Sequence, residues 1–137
     1  MKPAGKPYFL IAAVLSLLGA IAHEVVGAPK VLGPLADTNL PVDVIWLHHF
    51  SWHVGTIAVL VMVYMFVQSA RISDQAHLGI IATSISIAFS LLGIGLASFG
   101  SASLWTTPAP WAWTLVSLFG LLGCYKARSS HHPALKG

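Results

Sequence analysis

The chain has 137 residues, 56% of them apolar and 8% charged, against roughly 25% charged residues in an ordinary soluble domain. With a mean hydropathy of +0.80, this points to a membrane protein and excludes a disordered chain. The seven Lys and Arg residues are scattered and form no basic stripe, which excludes a nucleic-acid-binding module; Cys124 is the only cysteine, which excludes a disulfide scaffold and a CxxC redox centre.

The charges locate the spans, because a charge near the bilayer centre costs at least about 2.5 kcal/mol on insertion scales. Uncharged stretches run from Pro7 to His23, from Val44 to Ala70 and from Gln75 to Tyr125. The last is too long for one crossing of about 20 residues, and Thr106-Thr107-Pro108-Ala109-Pro110 breaks it. The expected fold is therefore all-α: a single integral membrane domain, a four-helix bundle with helices at about 8–27, 44–68, 77–100 and 108–126, followed by a flexible tail over 127–137.

Basic residues set the orientation. With both termini cytoplasmic, Lys2, Lys6, Arg71, Lys126, Arg128 and Lys136 lie inside and only Lys30 outside. This implies a multi-pass protein integral to the cell membrane, in direct contact with the lipid bilayer. Trp46, Trp105, Trp111 and Trp113 then sit near the outer interface, where indoles prefer to lie. A competing reading takes Lys2, Lys6, the apolar run and Ala20-Ile21-Ala22 as a secretory signal cleaved after Ala22; the apolar residues that resume at Val25 and Val26 argue against it.

Helices in lipid gain nothing hydrophobic by meeting, so small residues at helical spacing mark the contact faces. One such stripe is Gly79, Ala82, Ser86, Ser90, Gly93, Ala97 and Gly100; another is Trp113, Ser117, Gly120 and Cys124, with Cys124 read as a packing residue. Ala12, Ser16, Gly19 and His23 share an arc of the first helix, with Glu24 rotated by about 100° from His23. On the second helix His49, His53, Thr56 and Tyr64 share a stripe, with His48 and Trp52 on a neighbouring one, while Met62 and Met65 read as core fillers.

The first helix leaves the membrane on the side where the second re-enters, so His23, Glu24, Asp43, His48, His49 and His53 are expected to converge in the outer half of the bundle. Ionisable groups there are functional candidates. His49 and His53, at i and i+4, present two imidazoles on one face, and His23 supplies a third. With Glu24, His48, Asp43 or water completing the shell, such a set suits Zn or Cu and redox or hydrolytic chemistry. The same residues suit a haem b between facing helices, with His23 and either His49 or His53 as axial ligands. A third reading makes the histidines polar glue between helices, with no ligand.

The segment Ala28-Pro29-Lys30-Val31-Leu32-Gly33-Pro34-Leu35 is apolar for a connection and reads as a lid or partner-binding surface over the histidines, or as an interfacial loop without function. His77 reads as an interfacial residue, and His131 and His132 fall in the polar tail.

Two resemblances bear on function. Gly19-Ala20-Ile21-Ala22-His23-Glu24-Val25-Val26-Gly27 resembles the first-helix pattern of the small multidrug resistance transporters, which implies Glu24 as a proton and cation site. The rest of the chain departs: Glu24 stands at a helix end, the following connection is long, and the histidines have no place in that pattern. Ile21-Ala22-His23, Gly33-Pro34-Leu35 and Trp52-His53-Val54-Gly55-Thr56 resemble a group of small four-helix bacterial inner-membrane proteins of unknown function, which implies pairing of His23 with His53. Three functions emerge: a metal or haem site, a non-catalytic auxiliary subunit docked on membrane protein partners or forming a homo-oligomer, and a small proton-coupled transporter using Glu24.

Overall fold

The structure, a computed structural model, describes residues 5–129 and is all-helical over them. Four rods make up the bundle. The first begins as α1 (Lys6–Ala22), passes through a π-helical turn (His23–Gly27), continues as α2 (Ala28–Val31) and ends in a 3₁₀ turn (Gly33–Asp37). The second is α3 (Val42–Arg71). A 3₁₀ turn (Ser73–Gln75) leads to α4 (Ala76–Gly95), which runs into another π-helical turn (Leu96–Gly100); a 3₁₀ turn (Ala102–Thr106) precedes α5 (Ala109–Ser129).

Local chemistry sets these limits. Pro7 opens α1 where its missing N–H removes no helical bond. Extended backbone at Ile72 ends α3, and Thr107, held extended ahead of Pro108, separates the last 3₁₀ turn from α5. Arg71 stands in the last turn of α3, and Lys126 and Arg128 in that of α5, opposite the negative ends of those helix dipoles.

Two boundaries differ from the sequence reading. The stretch from Ala28 to Leu35, expected as a loop, is helical through Val31: Pro29 falls just after the π turn, where the regular hydrogen-bond ladder is already interrupted and its missing donor matters little. Of that stretch only Leu32 is buried. The expected tail begins late, because Ala127 to Ser129 continue α5; His131 and His132 lie outside the described residues.

Each rod packs on two neighbours in the ring order α1, α3, α4, α5. Neighbours run antiparallel: Phe9, early in α1, stacks on Phe66, late in α3, and Ser86 and Ser90 of α4 meet Ser117 and Thr114 of α5. The core is built on Phe9, Met62, Phe66, Ala82 and Val116. Phe9 is seated on glycines: a methyl added at Gly79 or Gly123 would come within 2.6 Å of its ring. Small-residue packing therefore holds as expected over Gly79, Ala82, Ser86, Ser90 and Ala97 and over Ser117 and Gly120, whereas Gly100 is exposed beyond the contact.

Three of the rods are long and apolar enough to cross a membrane: Lys6–Asp37, Val42–Arg71 and Ser73–Gly100. The fourth, α5, has the length but carries Pro110, Trp111, Trp113 and Thr114 near one end and Lys126 and Arg128 near the other, which dilutes its apolar run. Large apolar side chains cover the outside of the bundle, among them Leu18, Val25, Phe50, Ile57, Leu91 and Phe99, as a surface in contact with acyl chains requires.

Candidate functional site

The π-helical turn in the first rod brings the polar residues together. His23 and Glu24, separated by about 100° on a regular helix, stand at the start of this turn, and both reach α3. Both oxygens of Glu24 lie 3.2 Å from Nδ1 of His53, an ion pair when His53 is protonated and a donated N–H when the neutral ring carries its proton there. Thr56, three residues further along α3, donates its hydroxyl to Oε1 of the same carboxylate. Glu24 is thus tied to α3 by two side chains.

His23 is held differently. Its ring lies flat on the indole of Trp52, with centroids 3.8 Å apart and planes within 8°, and its Nε2 is 3.4 Å from the Trp52 carbonyl. The indole also covers Gly27, where a methyl would stand 2.9 Å from the Trp52 ring. Trp52 Nε1 is buried without a hydrogen-bond partner. The stack and the carboxylate contacts together clamp the end of the first rod to the beginning of α3.

The other predicted site residues lie apart from this clamp. His49 tilts against Trp46 at 5.2 Å, and its ring centre is 6.4 Å from that of His53. His48 donates through Nδ1 to the Val44 carbonyl of its own helix, 2.8 Å away, and Asp43 is exposed at the start of α3. Among the described residues, no three His, Cys, Asp or Glu side chains form a group that could hold a metal ion. Tyr64, further along the same stripe of α3, is exposed and accepts a hydrogen bond from Gln68. His77 is exposed beside the Asp74 carbonyl.

Beside the clamp, a cleft of about 260 Å³ runs between the four rods. Gly19 and His23 line it from the first rod, Gly55 and Thr56 from α3, Phe89 from α4 and Trp113 from α5. Its wall is otherwise apolar. Thr56 belongs both to this wall and to the carboxylate contact, so one residue joins the cleft to Glu24. The roles of Trp52 and Thr56 escaped the histidine-centred sequence reading; their signal was the i, i+4 spacing of Trp52 and Thr56 on α3, the two residues that face the π turn.

Comparison with protein-family models, curated proteins and solved structures yields no match. Fold and site define a class on their own: an all-helical four-rod bundle with three rods able to cross a membrane, and a carboxylate–imidazole–hydroxyl cluster beside an apolar cleft at one end.

Proposed function

We propose that the protein is a multi-pass protein of the bacterial inner membrane, both termini cytoplasmic, that binds a small apolar solute in the cleft and couples its occupancy to proton exchange at the Glu24–His53 pair. One observation carries this reading: Thr56, whose hydroxyl Glu24 holds, is also one of the residues that line the cleft. A solute that moves Thr56 leaves the carboxylate with His53 as its one side-chain partner, so proton exchange at the pair follows occupancy of the cleft. The orientation rests on the six basic residues that fall with the termini and the one, Lys30, that falls with the opposite end.

The test is recovery of small molecules from protein purified from its native membrane at pH 5 and at pH 8. Wild type is expected to retain one neutral compound per chain at one pH and shed it at the other, and Glu24→Gln to lose that difference. Equal recovery at both values refutes the coupling, and no compound at either refutes the binding. For the orientation, a fluorescent-protein fusion at the C-terminus is expected to fluoresce and an alkaline phosphatase fusion there to stay inactive; the reverse pattern overturns it.

The same preparation decides the competing readings. A metal centre on His23, His49 and His53, with Glu24, His48 or Asp43 in support, requires His49 to swing from Trp46 toward Glu24, and a haem requires His23 to leave Trp52. One zinc or copper per chain, or a Soret band, would replace the solute reading. A fixed set of co-purifying subunits would favour the auxiliary role.

A further inference from the structure

The composition of the cleft narrows what it can hold. None of its lining residues is Asp, Glu, Lys or Arg, and Glu24 is screened from it by Thr56. A charged occupant would be stripped of water with no counter-charge against it, so the occupant is neutral. The room is made by glycine. A methyl at Gly19 or Gly55 meets nothing within 4 Å, whereas one at Gly120 would strike Thr83 at 2.4 Å. Gly120 serves close helix packing; Gly19 and Gly55 face open space.

Two lining side chains offer N–H donors. The N–H of the neutral His23 ring lies at Nε2, where it faces the Trp52 carbonyl at a long 3.4 Å that a nearer acceptor can outcompete, and Trp113 has no hydrogen bond at its indole N–H among the described residues. The Thr56 hydrogen is already committed to Glu24. Phe89 and Trp113 form an edge-to-face pair with centroids 5.2 Å apart, an aromatic wall suited to a flat ring. Leu92 and Leu96 also line the cleft and are 59% and 51% exposed on the outside of the bundle, so it opens sideways toward lipid. At about 260 Å³ it is slightly below the roughly 300–1,000 Å³ of ordinary small-molecule pockets, which suits one ring.

We infer that the cleft binds the ring of a membrane-soluble quinone, with the ring carbonyls accepting from His23 and Trp113 and the aliphatic tail leaving past Leu92 and Leu96 into the bilayer. The inference rests on the cleft-binding reading and names its ligand class. Two acceptors and no charge on a flat apolar ring match two donors and an aromatic wall. A simple acyl chain would leave both donors unused, and a lipophilic cation would find no carboxylate.

Decylubiquinone titrated into the purified protein in lipid nanodiscs tests this, read by quenching of tryptophan fluorescence and by equilibrium dialysis. Saturable binding of one molecule per chain is expected. Gly19→Leu and Gly55→Leu, which add bulk to the cleft from the first rod and from α3 at positions where a Cβ meets nothing within 4 Å, are each expected to weaken it at least tenfold. His23→Phe keeps the ring stack and removes one donor, and is expected to weaken binding about two- to tenfold, the worth of one neutral hydrogen bond. Circular dichroism and gel filtration identify a variant that fails to fold, and the other glycine variant then decides. Binding unaffected by a folded glycine variant overturns the inference. A saturable site for dodecanol or tetraphenylphosphonium, blocked by Gly55→Leu, with none for decylubiquinone, overturns the quinone class and leaves cleft binding standing. No saturable site for any of the three overturns both.

Discussion

Replacing Thr56 with Val removes the hydroxyl that α3 donates to Glu24 while preserving the branched shape of the side chain. The magnitude follows from burial. Hydrogen bonds between membrane helices average about 0.6 kcal/mol and reach about 1.7, and a charged acceptor strengthens a bond toward about 1.5–3 kcal/mol. Thr56 is half-buried against the cleft, so a double-mutant cycle with Glu24→Ala is expected to give a coupling of about 1.5 kcal/mol, roughly tenfold in the unfolding equilibrium. His53 is 53% exposed and Glu24 31%, so the corresponding cycle with His53→Ala is expected to give no more than about 0.5 kcal/mol, as for solvent-screened pairs. The assay is reversible unfolding by sodium dodecyl sulfate in mixed micelles, followed by far-ultraviolet circular dichroism for the single and double variants. The reasoning fails if the Thr56 cycle is additive within about 0.3 kcal/mol, or if the His53 coupling is the larger.

Three further outcomes follow from packing. Phe9→Ala empties the seat between Gly79, Gly123 and Phe66 and is expected to cost about 3 kcal/mol in the same assay; Gly79→Ala, whose methyl would stand 2.6 Å from the Phe9 ring, destabilises wild type and is expected to be better tolerated in the Phe9→Ala background. Trp52→Phe keeps a ring over His23 and removes an N–H that is buried without a partner, so stability is expected to stay within about 0.5 kcal/mol of wild type, while Trp52→Ala loses the stack and the Gly27 contact and is expected to cost more than 2. Ser86→Ala breaks the 3.0 Å bond to Ser117, which still donates to the Trp113 carbonyl, so its expected cost is only about 0.6 kcal/mol; a loss several times larger would mean that the hydroxyl pair holds α4 to α5 more tightly than its bonds indicate.

The bundle was legible because its determinants are local or periodic. Charge exclusion marks the spans, Pro108 and Pro110 mark the last turn, and small residues at helical spacing mark the face between α4 and α5. The candidate site was legible in part. Juxtaposing the end of the first rod with the beginning of the second follows from antiparallel chain reversal, and it places Glu24 beside His53. A periodicity of 3.6 residues cannot anticipate a π turn. At that turn Glu24 meets His53 and Thr56 and His23 stacks on Trp52, while His49 lies against Trp46 and completes no three-histidine set. The cleft was not legible at all, since a glycine that admits a neighbouring helix and one that faces empty space are the same letter. Only the packed backbone separates Gly120 from Gly55.

The ring closes where α5 meets α1, and there the backbone of Gly5 lies so near the Gly123 carbonyl that no methyl would fit between them. The beginning of the first rod and the late turns of the last are therefore side by side, within reach of a short linker. A circular permutant that links the end of α5 to the start of α1 and is opened at 38–41, in the exposed stretch ahead of α3, would keep the four rods intact while moving its free ends to the opposite end of the bundle. Such a chain would uncouple the assembly of the four rods from the order in which they are synthesised.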